Sequence, residues 1–311
     1  QVNTTGRRTA YAELLTSGNH PLVSRVMVNR VWAHHFGTGI VDTPGDFGFL
    51  GGRPTHPELL DWLADEFVQS GWDIKQLHRI IMTSTAYQQT SNRNAQGNQI
   101  DRQKRLLWSM PVRRLESEAV RDGILAVSGM LDEQMAGVPV PVMADITGQW
   151  VIGKENLNAG RPGPVIDMKG QQYRRSLYIQ VRRSRPLAVL EPFDLPELAP
   201  NCTKRPSSTV PTQSLELLNS DFVTAQSRFF AVKLTKQSQD IEHQVSQAWR
   251  TAFGKEITDE EKEEAISFVT EMQEVLTKEY ESRQLNDDPI IDAVAVFCQA
   301  LLSSNQFLYI E

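Results

Sequence analysis

The stretch His20–Gly52, HPLVSRVMVNRVWAHHFGTGIVDTPGDFGFLGG, most narrows what this chain can fold into. Pro21 suits the first turn of a helix, where its missing N–H has no partner to lose. Gly37 suits the left-handed stop after Phe36. Between them Leu22, Val23, Val26, Met27, Val31, Trp32 and Phe36 recur at spacings of three and four, and Val28 falls outside that stripe. A helix apolar nearly all round is a buried helix. Yet Arg25, Asn29 and Arg30 lie within it, and Arg25 and Asn29 share a strip with Trp32 and Phe36. A buried guanidinium needs a carboxylate or several carbonyls. Asp42 and Asp46, in the loop that follows, are the nearest carboxylates, so an Arg–Asp lock behind this helix is expected.

Adjacent helical residues point about 100° apart, so His34 and His35 cannot grip one ion from a regular helix. No H-x-x-x-H or H-E-x-x-H occurs, and no metal site is expected. The loop from Thr38 to Pro54 is glycine-rich but lacks the preceding strand and the Gly-Lys-Ser/Thr of a phosphate loop. Asp46-Phe47-Gly48 copies a kinase tripeptide without the catalytic loop or lysine strand that would give it meaning.

Punctuation sets the remaining helices. One runs from Arg7 to Ser17. Thr55 and Glu58 read as a capping box ahead of a helix burying Leu59, Leu60, Leu63 and Phe67, ended by Gly71. Asp73 opens the next, with Ile74, Leu77, Ile80 and Ile81 inward, antiparallel to its predecessor. Ser91–Gln103 reads as loop. A helix from Arg113 turns Leu115, Ala119, Val127 and Met130 inward and carries Arg114, Glu116, Glu118, Arg121 and Asp122 as a charge ladder. Glu118 and Asp122 are its candidate acid/base pair.

From Asp132 to Tyr173 the chain is dense in Gly and Pro, including Gly160, Gly163 and Pro164, with one short strand in Gly148–Lys154. The segment after it alternates Leu177, Ile179 and Val181 against Tyr178 and Gln180, the period of a second strand. It holds Arg174, Arg175, Arg182, Arg183 and Arg185, five arginines in twelve residues. They fit an anion site for carboxylates, sulfates or phosphates, and equally a set of partners for Glu116, Glu118, Asp122 or Asp194. Pro186–Pro200 is punctuated by proline. A helix from Pro211 has the stripe Leu215, Leu218, Phe222, Ala225 and Phe229. Others span Glu242–Phe253, Thr258 (boxed with Glu261) to Arg283, and Asp288-Pro289 onward. The fold expected is mainly α, helical with a small β element in the middle. Residues 1–131 form an N-terminal helical part, 132–200 an irregular segment with short strands and 201–311 a C-terminal helical part, together one domain.

The 311 residues carry a net charge of −6. Lys236–Glu311 holds six basic and sixteen acidic residues, so the rest of the chain is net positive by four. The acidic end reads as solvated helix faces, and the balance argues against nucleic acid. No apolar run reaches the length of a membrane span, and the N-terminal residues lack the apolar core of a signal peptide. Two cysteines exclude a disulfide framework, and no haem-attachment motif is present, so no cofactor is expected in this chain. Cys298 reads as core and Cys202 as an accessible loop thiol, with a bridge between them left open.

Together NRVWAHHFGTGIVDTPGDFG, PTHPELLDWLADEFVQSGWDIKQLHRII, RRLESEAVRDGILAVSG, RRSLYIQVRR, STVPTQSLELLNSDFV and SNQFLYIE resemble a planctomycete-specific C-terminal domain of unknown function. The resemblance runs from Arg7 to Tyr309. It implies a large exported parent protein, extracytoplasmic (periplasmic or cell-surface), with cytochrome-c-like domains, so haem c in other domains of that parent. It supplies no activity. The family motifs include Arg25, Asn29, Arg30, Asp46, His56, Arg114, Glu118, Asp122, Arg175 and Asn219 of this sequence. Two functions compete. One is a non-catalytic module that docks other domains of the parent or binds a polymer such as anionic polysaccharide. The other is an enzyme, a hydrolase on such a polymer or a haem-assisted oxidoreductase. Its candidate polar site is Arg25, Asn29, Arg30, Asp42, Asp46, His56, Glu118 and Asp122.

Overall fold

A computed structural model describes residues 5–145, 147–154, 157–158, 161–162, 166–196, 202–284 and 287–310. Gly160, Gly163, Pro164 and Pro200, expected in loops, lie outside the described residues. The chain is mainly α, with small two-stranded β elements in its middle. It divides into two compact units, one ending at Arg113 and one spanning Arg114–Ile310.

The first unit contains α1 (Arg7–Thr16), α2 (Val23–Phe36), α3 (Pro57–Gln69), α4 (Ile74–Met82), α5 (Thr85–Gln88) and α6 (Ala95–Ile100). Its core joins Val28, Trp32 and Phe36 of α2 to Leu60, Leu63 and Phe67 of α3 and Leu77 and Ile81 of α4. As expected, Gly37 ends α2 at φ 78°, and the Asp73 carboxylate caps α4 through the N–H groups of Lys75 and Gln76. Three expectations fail here. Ile74 is exposed, because the inward stripe of α4 is narrower than its apolar residues. The capping box at Thr55 does not form. His56 takes the cap position without a side-chain bond, and Thr55 instead hydrogen-bonds through its N–H to Ile40 O at 3.0 Å. Ser91–Gln103 contains α6, started by Asn94, whose carbonyl oxygen accepts from Gly97 N–H.

The second unit opens with α7 (Ser117–Ser128) and closes with α8 (Pro211–Asn219), α9 (Asp221–Gln237), α10 (Ile241–Phe253), α11 (Asp259–Arg283), α12 (Pro289–Leu302) and α13 (Asn305–Leu308). Phe230 and Leu234 of α9 meet Val294, Cys298 and Leu302 of α12 at the centre. Ile124, Val245 and Val269 close that core from α7, α10 and α11. Asp240, the Thr258–Glu261 box and Asp288 cap their helices as chain chemistry requires. Both cysteines are free, Cys202 exposed and Cys298 buried, so no bridge joins them.

The expected stripe on the helix from Pro211 is wrong in phase. The helix breaks at Ser220, and Leu215, Leu218 and Phe229 face solvent while Gln213, Leu217, Val223, Gln226, Ser227 and Phe230 are buried. The polar members are satisfied inside. Gln226 Oε1 accepts from Ser128 Oγ at 2.8 Å, and Ser227 Oγ donates to Val223 O. Hydrogen bonding let polar groups displace apolar ones from the inner face. On α7 the inward residues are Val120, Ile124, Leu125 and Val127, and Ala119 is exposed.

Between α7 and α8 lies a third, smaller core of Val140, Val142, Met168, Ile179, Leu187 and Leu190. Trp150–Ile152 is a strand as expected and pairs antiparallel with Val142–Ala144. The arginine-rich segment is not a strand. Gln171–Tyr173 and Ser176–Tyr178 are 3-10 turns, and Ile179 is buried while Leu177 and Val181 are 60% and 71% exposed.

Candidate functional site

The charged residues singled out by sequence divide between the two units, and most are engaged locally. In the first unit Arg25 Nε donates to Asp61 Oδ1 at 2.7 Å. Asp42 meets Arg105 at 3.7 Å. Asp46 turns its carboxylate onto Gly48 N–H at 2.8 Å. The expected lock between the α2 arginines and Asp42 or Asp46 is therefore replaced by an Arg25–Asp61 pair, because Asp61 on α3 lies beside α2. Arg30 is exposed. His56 Nδ1 contacts Thr55 Oγ1 at 2.9 Å.

Asn29 is fully buried and does what its sequence position cannot reveal. Its Nδ2 donates to Val41 O at 2.9 Å, and its Oδ1 accepts from Val41 N–H at 2.8 Å. One amide side chain thus mimics a strand neighbour and fixes the glycine-rich loop onto α2. His35 Nε2 and His78 Nδ1 lie within hydrogen-bond distance, 2.7 Å apart. Burial, then His78, Arg113 and His34, hold His35 below the usual histidine range.

In the second unit Arg121 on α7 is 1% exposed. Its Nη1 donates to Arg174 O (3.0 Å) and Ser176 Oγ (3.2 Å), and its Nη2 to Gln172 O (2.6 Å). Asp122 Oδ1 accepts from Ser176 N–H at 2.8 Å and Ser176 Oγ at 2.7 Å. Burial pulls Arg121 down to about 10 against the support of Asp122, so it stays charged at neutral pH. Arg174, also buried, donates to the carbonyls of Gln134, Ala136 and Val138 and lies 4.2 Å from the centre of the Tyr178 ring. Arg175 reaches only to 4.0 Å from Asp122.

Glu118 does not pair with Asp122. Arg205 grips both its oxygens, at 2.6 and 3.0 Å. Burial raises the Glu118 carboxyl, but Arg205, the local backbone and Ser117 more than offset this and leave it below the ordinary value. Asp194 behaves alike. Burial raises it, and Ser208 and Arg114, the latter at 2.6 Å, bring it down.

An open groove of this unit lies elsewhere. Of about 770 Å³, it is lined by Trp150 together with Gln149, Arg185, Glu191, Thr212 and Glu216. Ligand sites fall in this size range. Arg182 and Arg185 sit 4.4 and 5.5 Å from the centre of the Trp150 ring. The Asp145 carboxylate anchors the turn before Trp150 by accepting from the N–H groups of Thr147 and Gln149. Ala188 N–H donates to Trp150 O at 2.9 Å, tying the turn to the segment that bears Arg185.

The model of the PSD1 family, a protein of unknown function (DUF1553), matches residues 7–269. The chain belongs to this family. No curated protein and no solved structure is similar to it at significance. The PSD1 match includes α2, the buried guanidinium of Arg121 and every residue named in the groove.

Of the five arginines of the PSD1 middle segment, Arg174 is spent on carbonyls, Arg183 is exposed, Arg185 lines the groove, and Arg182 lies over the Trp150 ring. Sequence reasoning missed His78, Ser176, Arg205, Trp150, Glu191 and Glu216 as site members. None stands at a telling spacing from its partner, since each contact joins segments far apart in the chain. Trp150 alone carried a signal, a tryptophan between two glycines in a short strand. Among the described residues no three His, Cys, Asp or Glu side chains gather in a metal-binding arrangement, and no helix is long and apolar enough to cross a membrane.

Proposed function

We propose that this chain is a non-catalytic, polymer-binding module whose ligand is a glycan bearing acid groups. The observation that carries the reading is the Trp150 groove. A pyranose ring presents one face of C–H bonds, which an indole face covers, and a rim of hydroxyls. The hydroxyls would be met by Gln149, Thr212 and the carboxylates of Glu191 and Glu216. Arg185 offers a planar fork to a uronate or sulfate. The engagement of Arg121, Arg174, Glu118 and Asp194 with partners of their own supports a binding role, because these groups serve the scaffold.

The second reading is a hydrolase on the same polymer. It is favoured by one observation, that two carboxylates, Glu191 and Glu216, line the groove that holds Trp150. An extracytoplasmic location, a planctomycete-type parent with cytochrome-c-like domains and docking onto those domains belong with the first reading, supported by the sequence resemblance.

A thermal-shift panel of uronic-acid, sulfated and neutral oligosaccharides tests the proposal. A ligand at a hundred times its Kd stabilises the folded state by about 2.7 kcal/mol, a rise of several degrees in Tm. Stabilisation by an acidic class, weakened by salt and lost in Trp150→Ala, is the expected result. No shift with any sugar would reject it. Depolymerised products that disappear in Glu191→Gln or Glu216→Gln would move the reading to the hydrolase.

A further inference from the structure

The charged residues lining the Trp150 groove are of both signs and come from separate elements. Arg185 belongs to the segment tied to Trp150, and its guanidinium lies 5.5 Å from the centre of the indole ring. Arg182 lies 4.4 Å from the same centre. Positive charge therefore gathers at the aromatic ring. Glu191 opens the 3-10 turn Glu191–Phe193. Thr212 and Glu216, four residues apart, share a face of α8. That turn and α8 are fastened together, since Gln213 Nε2 donates to Pro192 O at 2.9 Å. Negative charge thus enters the groove from the turn and from the helix docked on it.

The fold does not use these carboxylates. Among the described residues, Glu191 and Glu216 make no side-chain hydrogen bond and no ion pair, and no ion pair joins either of them to Arg185. Glu118, Asp122 and Asp194 differ, because each accepts from partners within the protein. Two carboxylates against one lining guanidinium suit a polymer of acids alone poorly, since like charges brought together weaken a contact. Sugar hydroxyls can donate to Glu191 and Glu216 but leave their charge in place. An ammonium group donates and also offsets the charge, in a stronger hydrogen bond.

We infer that the groove takes a glycan carrying free amino groups beside its acid groups, an inference that rests on the acidic-glycan reading above and narrows it. The acid of one sugar meets Arg185. The ammonium of an amino sugar in the same chain meets Glu191 and Glu216. N-acetylation of that amine removes its charge and leaves both carboxylates facing an uncompensated anion, so the groove discriminates against the acetylated chain by repulsion as well as by a lost contact. A glycan with amines and no acids fails in the converse way, because Arg185 is left unmet.

The test is calorimetric titration of the 311-residue chain with three oligosaccharides of matched length, in a buffer that keeps amines protonated. One alternates glucuronate with N-acetylglucosamine, the second is the same chain after N-deacetylation, and the third is an oligomer of glucosamine without acids. The expected result is tightest binding of the N-deacetylated chain, by at least about tenfold over the acetylated one, as for one charge-assisted hydrogen bond. Glu191→Gln/Glu216→Gln keeps the shape of both side chains, removes their charge and should erase that preference. Arg185→Gln should weaken both acid-bearing chains and keep it. Circular dichroism checks that each variant is folded. Equal binding of the acetylated and deacetylated chains overturns the inference and leaves the acidic-glycan reading standing. A preference that survives in the double variant does the same. A glucosamine oligomer that binds as tightly as the mixed chain overturns both, because acid groups then contribute nothing. No binding of any of the three overturns the inference, and the acidic-glycan reading falls with it when sulfated oligosaccharides are also silent.

Discussion

Asn29 on α2 and Arg121 on α7 occupy equivalent roles in the two units and solve them differently. Each is a fully buried polar side chain on a mostly apolar helical face. Each fastens a glycine- and proline-rich segment that has no regular ladder of its own. Asn29 does so neutrally, with one donor and one acceptor matched to the Val41 peptide. Arg121 does so with a charge, spread over the carbonyls of residues 172 and 174 and the hydroxyl of Ser176. The difference follows from what must be held. A single loop residue, Val41, offers both peptide groups to one amide. A pair of 3-10 turns points several carbonyls at one place, and only a cation with a fork of donors satisfies them together. Buried charge in this protein therefore marks irregular backbone that must be fixed in place.

Removing the charged fastener should cost most. Arg121→Met leaves the carbonyls of Gln172 and Arg174 without their guanidinium donor and should destabilise the second unit by about 3–5 kcal/mol. Urea unfolding read through hydrogen exchange of α7 amides measures it, and a loss below about 1 kcal/mol would remove Arg121 from this role. Asn29→Ala should cost less, about 2–3 kcal/mol, by leaving the buried Val41 N–H and C=O unpaired. Exchange in residues 38–52 should rise before that in α3. An exposed counterpart sets the baseline. Thr258→Ala removes the capping box of α11 and should cost about 1 kcal/mol, seen as fraying of its first turn.

The smallest expected effect is one of pH. His35 titrates below its unfolded value of about 6.5 because burial and neighbouring positive groups disfavour its charged form. Its contribution is therefore fully present above about pH 6.5 and is lost as pH falls from there through the folded value. His35→Gln should flatten this decline in the first unit between pH 7 and 5. A decline of equal steepness in the variant would assign it to other groups.

The fold was legible wherever a helix carries its own punctuation. Gly37, Asp73, the Thr258–Glu261 box and Asp288-Pro289 each place a boundary, because capping is local chemistry. The reading failed where tertiary partners decide. Thr55 looks like a cap but bonds to Ile40. Leu177, Ile179 and Val181 alternate like a strand, yet carbonyls at 172 and 174 are taken by Arg121, and the chain there turns. Gln226 and Ser227 look like an outer face but are buried because Ser128 and Val223 satisfy them. The site suffered in the same way. The arginine cluster was visible, but which of its members are spent on backbone, and that Arg182 and Arg185 flank Trp150, depends on contacts between segments such as 134–138 and 174.

Calorimetric titration of an acidic oligosaccharide into the wild-type chain, Trp150→Ala and Arg185→Ala tests the central claim most directly. That claim is that the guanidiniums of Arg121 and Arg174 serve the scaffold while ligand chemistry belongs to the Trp150 groove. The account predicts saturable binding by the wild type, weakened at least about tenfold in both variants as expected for an aromatic and an arginine anchor, with the oligosaccharide recovered intact. Equal binding by all three proteins, or a shortened oligosaccharide, would contradict it.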